Sequence, residues 1–288
     1  MSRKLTFYVI ALLLIFSGCA PQTEKLTQLC PGKGSAAEAL FVLRSRSQSA
    51  VPLKATGTCL LEYHVEGERQ PRRENFPVRV WLNPPIEISL QGNVAFDPRG
   101  IVAGSNRDEF WLAIRLKEIS SHWSGRWTEA SQLDELVISP RVVLETLGAT
   151  PVERTPDGSE NWSLSNEGVF DVLTQRSDQG RIKKKMYVYC CDYSIRRIEY
   201  FGVDGEVVVA AELDKYRQIA GNFAVPTLIK AVRQDGGAED SVSITVTLRS
   251  VRSTSFTERM REQLFTPPAA RGFEHVMINV GGAWVEQQ

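Results

Sequence analysis

Residues 55–65 read "ATGTCLLEYHV". Ala55, Gly57, Cys59, Leu61, Tyr63 and Val65 fall on one side of an extended chain, while Thr56, Thr58, Glu62 and His64 fall mostly on the other. A period of two is what a strand with one buried face requires. The pattern repeats outward. "FPVRVWL" (76–82) turns Val78, Val80 and Leu82 inward, and Asn83-Pro84-Pro85 breaks it. "IEISLQG" (86–92) sets Ile86, Ile88 and Leu90 on one face; "IVAG" (101–104) and "EFWLAIR" (109–115) follow, with Asn106-Arg107-Asp108 as the turn between them and Phe110, Leu112 and Ile114 inward. Trp81 and Trp111 fall on the opposite face from these neighbours, so both faces carry large apolar side chains.

Two helices interrupt the strands. Ser35-Ala-Ala-Glu38 has the form of a capping box, and Ala36, Ala39, Leu40 and Leu43 give the helix over 35–47 one apolar stripe. A second helix over 139–148 has Ser139 as cap, Pro140 at its first position and Gly148 at its end. Alternating runs then resume: "NWSL", "VFDVLTQ", "RIKKKMYVYCC", "IRRIEYF", "EVVVAAEL", "AVPTLIKAV" and "SVSITVTLRSV". Asp204-Gly205 between two of them predicts a two-residue hairpin loop. A last short helix is capped by Thr257. The count is about eleven or twelve strands at meander spacing, with no βαβ pattern. The fold class is mainly β: one large curved antiparallel sheet with a few covering helices.

The chain opens on "MSRKLTFYVIALLLIFSGCAPQ". Arg3 and Lys4 precede an apolar run, 5–16, that is short against the ~20 residues of a membrane helix. Ser17-Gly18-Cys19 then resembles the lipobox of bacterial lipoproteins, with Phe16 where the box usually has leucine. That resemblance implies a signal peptide over 1–18 and diacylation of Cys19. Ala20, rather than Asp, after the cysteine implies the outer membrane. Residues 19–34 read as a polar tether of roughly 20 Å mean span. Cys30, Cys59, Cys190 and Cys191 remain; an oxidising envelope allows disulfides, and three full pairings are open. Cys190 and Cys191 end a strand-like run, which would turn their side chains to opposite faces.

Lys+Arg and Asp+Glu balance at 34 each, so no overall field favours nucleic acid. The basic run Arg181-Ile182-Lys183-Lys184-Lys185 reads as a solvated strand end. No serine elbow, no zinc-protease helix motif and no phosphate loop occur, and the three histidines, His64, His122 and His275, stand apart. No catalytic residue, cofactor or metal site is expected. A hydrolase would need His64 or His275 beside a carboxylate in a polar pocket. "SSHWSGRW" (120–127) places Trp123 and Trp127 where they pack an insertion on the sheet or gate an apolar mouth.

The order of elements resembles the LolA/LolB-type bacterial envelope proteins. It is carried by "TGTCLLEYHV" (56–65), "VRVWLNPPIEISL" (78–90), "SNRDEFWLAI" (105–114), the helix end "LETLG" (144–148), "RRIEYFGVDGEVVVAAELDKYRQIAGNFAVPTLIKAV" (196–232) and "RMREQLFTPPAARG" (259–272). The resemblance implies an unclosed β-barrel over 35–288 with a helical lid. It implies a lipid-anchored receptor rather than a soluble shuttle, monomeric, binding acyl chains of lipids or lipoproteins and meeting a periplasmic carrier. The inner apolar lining would be Leu61, Tyr63, Val80, Leu82, Ile88, Leu90, Phe110 and Leu112. A membrane- or cargo-contacting loop would be "NVAFDPRG" (93–100), with Val94 and Phe96. An adaptor or stress sensor on the same fold, without a transported ligand, is the alternative.

Overall fold

A computed structural model describes residues 28–65, 68, 70–94, 97–116, 119–127, 140–150, 161–233, 241–281 and 283–287. Residues 1–18, read from sequence as a signal peptide, and Cys19, Phe96 and Ser139 lie outside the described residues. Fifteen strands form one curved sheet that is not closed into a barrel. The first wing holds β1 (Leu53–Tyr63), β2 (Arg72–Asn83), β3 (Glu87–Val94), β4 (Asp97–Ser105), β5 (Glu109–Arg115) and β6 (Ser120–Arg126). The second wing holds β7 (Trp162–Glu167), β8 (Phe170–Arg176), β9 (Ile182–Tyr189), β10 (Ile195–Phe201), β11 (Val207–Ala220), β12 (Phe223–Arg233) and β13 (Val242–Ser253). Each wing is a meander, and the two are joined where β1 pairs antiparallel with β13.

The chain then returns to the first wing. β14 (His275–Val280) adds to β6 in the parallel sense, and β15 (Ala283–Gln287) pairs with β14 as the outermost strand. Strands β6, β14 and β15 raise the count above the expected eleven or twelve. β6 contains His122, Ser124 and Gly125 and breaks the apolar alternation; β14 is short and half-buried, and β15 is short and mostly exposed. Short strands of this kind, near the end of a sheet, carry little periodic signal.

The inner face of the sheet carries two helices. α1 (Ala36–Gln48) buries Ala39, Leu40, Leu43 and Ser47 and lies over β7 and β8. Its cap forms as the sequence predicts: Ser35 Oγ accepts from Glu38 N–H at 3.2 Å, and Glu38 reaches back to Gly34 N–H, also at 3.2 Å. α2 (Pro140–Thr146) lies over β4 and β5 and places Leu144 and Leu147 in the same core. Thr150, just past it, hydrogen-bonds Pro85 O at 2.8 Å. Each such leucine withdrawn from water contributes about 1.5–3 kcal/mol.

α3 (Glu258–Leu264) is held at the first wing, where Arg261 binds Glu87. Thr257 Oγ1 accepts from Met260 N–H, as its sequence position predicts. A strap, 265–274, then crosses the outer face, where Phe273 covers a small separate core of Val102, Trp111 and Ala113. Gly104 belongs to that core by omission: a Cβ there would meet the Trp111 ring at 2.6 Å. The Asp204-Gly205 hairpin loop is one residue longer than expected. Gly202 and Glu206 still pair, Gly205 N–H bonds Gly202 O, and Gly205 takes φ +85°, so the loop is Val203–Gly205 with glycine in the left-handed place.

Candidate functional site

A cavity of about 350 Å³ lies on the inner face of the second wing, beneath the end of α1 and the side of α2. Strand alternation builds its floor. Met186 of β9 pairs across with Ile198 of β10, and Lys184 with Tyr200, so these four side chains share the inner face. Phe223 and Ala224 of β12 and Leu43 of α1 complete the apolar part. Arg46, Asp192, Gln218 and Asn222 stand at the polar part of the wall. The Arg46 guanidinium donates to Asp192 O, which ties α1 to the turn after β9.

One polar cluster is built into the wall. Glu145 of α2 accepts from Lys184 Nζ at 3.0 Å and from Tyr200 OH at 2.6 Å. The Lys184 and Glu145 side chains are only 12% and 15% exposed, so the solvated-strand-end reading of 181–185 fails at Lys184. Position 184 lies two residues before Met186 and so faces in with it, where a helical carboxylate meets it. An ion pair at this depth holds α2 in place more than it adds net stability.

The turn Asp192–Ser194 forms the next part of the rim. Tyr193 has φ +58°, in the left-handed region that a bulky residue enters at a cost of about 1–2 kcal/mol. Its compensation is visible: the ring is buried, and its hydroxyl donates to Asp171 Oδ2 at 3.1 Å. Burial, then the Asp171 charge, pushes the Tyr193 phenol well above its ordinary pKa. Burial raises Tyr216 as well, and both stay neutral donors.

Asp171 also fixes the chain before α1. It accepts from Lys33 N–H at 2.8 Å and from Asn166 Nδ2 at 2.7 Å. Cys30 is bonded to Cys191 in the same turn. Residues 28–34, read from sequence as tether, therefore lie along the body of the fold. The pairing resolves the alternatives left open by sequence. The strand ends at Tyr189, so Cys190 and Cys191 sit in a turn rather than on opposite faces of a strand. Cys190 keeps a free thiol, 3.4 Å from Cys30 N, and Cys59 stays reduced inside β1, its thiol pushed up to about 12 by burial.

The residues expected to line the cavity lie elsewhere. Leu61, Tyr63, Val80, Leu82, Ile88, Leu90, Phe110 and Leu112 are all on the first wing and all buried. Most share one core with α2. The structure brings them together as close-packed interior; none of them lines the 350 Å³ cavity. Trp123 and Trp127 join an aromatic cluster with Phe110 and Trp284. Trp123 meets Trp284 edge-on at 5.0 Å, Trp127 lies 5.1 Å from Phe110, and the Trp127 indole N–H donates to Asn106 O at 2.8 Å. Val94 closes β3 and is buried. His275 does meet a carboxylate, Glu286, at 2.7 Å, but on the exposed β14–β15 ribbon.

On the outer face of the second wing a groove of about 480 Å³ runs among Phe170, Tyr187, Arg197, Glu212 and Lys230. Its charges alternate in sign, and Arg197 is engaged with Glu199 at 2.5 Å. The inner cavity, bordered by two helices and lined by fewer charged side chains, is the better candidate for a ligand.

No family model matches the sequence, and no curated relative matches it. Solved structures do. A LolA superfamily protein from Nitrosomonas europaea superposes with a TM-score of 0.50 at 12% identity, covering 82% of this chain and 99% of its own. A candidate outer membrane lipoprotein-sorting protein domain from Vibrio parahaemolyticus gives 0.47 at 12% identity over 77% of this chain and 94% of its own. A DUF1329 family protein from Desulfovibrio piger gives 0.47 at 10% identity over 78% and 95%. With its open curved sheet and helices laid across the inner face, the chain has a LolA/LolB-like fold.

Proposed function

We propose that this is an envelope lipoprotein, anchored in the outer membrane through Cys19, that holds an acyl chain of a lipid or lipoprotein in the cavity of its second wing. The reading is non-enzymatic: the site binds and releases, and a periplasmic carrier protein is the partner expected to deliver or receive the cargo. One observation carries it. The cavity places the apolar side chains of Leu43, Met186, Ile198 and Phe223 beside a neutralised Lys184–Glu145 pair and the polar residues Arg46, Asp192, Gln218 and Asn222, a mixed lining that an amphiphile can use. Its volume, about 350 Å³, lies at the lower end of ligand sites, which run from roughly 300 to 1,000 Å³. Apolar contact at about 25 cal/mol per Å² supplies affinity without directional chemistry.

The test uses the mature protein purified in mild detergent. A fluorescent fatty acid is expected to bind, and Ile198→Trp, which fills the floor, to weaken binding about tenfold or more. Native mass spectrometry of the untreated protein should show co-purified lipid. A protein without bound lipid, whose fatty-acid binding is absent or indifferent to Ile198→Trp, would overturn the carrier reading. Cys19→Ala should move the protein from the membrane fraction to the soluble one.

A further inference from the structure

The strap that crosses the outer face of the first wing leaves a cleft of about 250 Å³ between itself and the sheet. Its floor is apolar: Val102 and Ala113, paired across β4 and β5, are buried, and Phe273 closes one side. Its rim is cationic. Arg99 comes from β4, Arg115 from β5 and Arg271 from the strap. Arg115 is already positioned, its guanidinium carbon 4.3 Å from the centre of the Phe273 ring.

None of the three arginines forms an ion pair among the described residues. Some arginines elsewhere in this chain do hold carboxylates: Arg196 holds Asp192 and Asp214, Arg197 holds Glu199, and Arg261 holds Glu87 and Glu258. The carboxylate nearest in sequence to Arg99, Asp97, accepts from the Arg99 backbone N–H at 2.8 Å instead. Three like charges round one cleft repel each other, most at low salt, and an anion placed among them relieves that repulsion. A carboxylate is satisfied by one bidentate arginine. Three suit a tetrahedral oxyanion that offers several acceptors and more than one charge.

We propose that the cleft between the strap and strands β4 and β5 is a binding site for a phosphate group carried on an apolar body, held by Arg99, Arg115 and Arg271 with its apolar part against Val102, Ala113 and Phe273. The site lies on the opposite face of the sheet from the acyl cavity and stands or falls apart from it. The phosphate could belong to a lipid headgroup or be free in solution. Three guanidiniums bind either, and the apolar floor favours the former.

Isothermal titration of the mature protein with dihexanoyl phosphatidic acid and, separately, with inorganic phosphate tests this. Binding of the lipid is expected, falling steeply with salt, with Arg115→Gln and Arg271→Gln each weakening it about five- to tenfold and Arg181→Gln, on the far wing, leaving it unchanged. Ile198→Trp should also leave it unchanged, which separates this cleft from the inner cavity. Arginine-dependent binding of the lipid well above that of inorganic phosphate assigns a headgroup; equal arginine-dependent binding of both assigns the free anion. Failure of both probes to bind, or binding that survives the Arg115→Gln, Arg271→Gln double variant, overturns the proposal. All three arginines are exposed, so the variants should fold; unchanged thermal unfolding checks that.

Discussion

His122 shows how one side chain can be structural in a protein with so few histidines. It lies in β6 across from Ala113, buried beneath the Phe273 ring at 5.4 Å. Burial, with the Arg115 charge adding to it, holds its imidazole below the ordinary histidine pKa. The folded state therefore keeps it neutral, while the unfolded chain takes up a proton near pH ~6.5. Its contribution to stability is complete above that value and is lost as pH falls through it towards the lower folded value. Urea unfolding midpoints measured between pH 7.5 and 5.5 should fall on acidification, and His122→Gln should flatten that part of the curve. Glu87 acts in a lower window. Burial pushes its carboxyl up, but hydrogen bonds from Arg261 and Asn83 outweigh that and hold it below its ordinary value. Its stabilisation is present above the unfolded carboxylate pKa and is lost only in stronger acid, so the two groups separate experimentally.

At the scale of elements, α1 was the most legible. Ser35 and Glu38 announce its start, and its stripe includes three of the four buried residues, Ala39, Leu40 and Leu43, but not Ser47. Ser35→Ala should lower stability by about 1 kcal/mol, read from urea unfolding, because the Glu38 N–H loses its acceptor. The regular strands were equally legible, since burial alternates in β1 and β2 as the residues do. β6 was not, because its polar residues are buried by other elements: His122 by the strap and Ser121 within the sheet. Nor was the cavity. Its floor and the solid core of the first wing are lined by the same kinds of residue. What separates them is which helix lies above: α2 fills the first wing, while over the second wing α1 and α2 leave a gap. Alternation gives the face of a strand but not the height of what covers it. Lys184 was the one local clue. A lysine at an inward position requires a partner, and a carboxylate on a facing helix is the kind that satisfies it.

Across the whole molecule, the Cys30–Cys191 bond spans 161 residues and fastens the segment before α1 to the rim of the cavity. Cross-linking so distant positions restricts the unfolded chain strongly. Cys191→Ser, made with Cys190→Ser to prevent exchange, should lower unfolding stability by about 2–4 kcal/mol, and a reducing agent should do the same to the parent protein. The junction of the wings has a different bearing, on the order in which the protein is made. β1 comes first among the described strands in chain order, and β2 can pair with one of its edges at once. Its other edge waits for β13, whose first partner, Ser243, lies far down the chain from Glu62. Through most of synthesis the centre of the finished sheet is thus an open strand edge, the kind of surface on which chains join one another by mistake. Joining of the two wings is a late event in chain order, and until then the middle of the finished sheet is the border of the growing one.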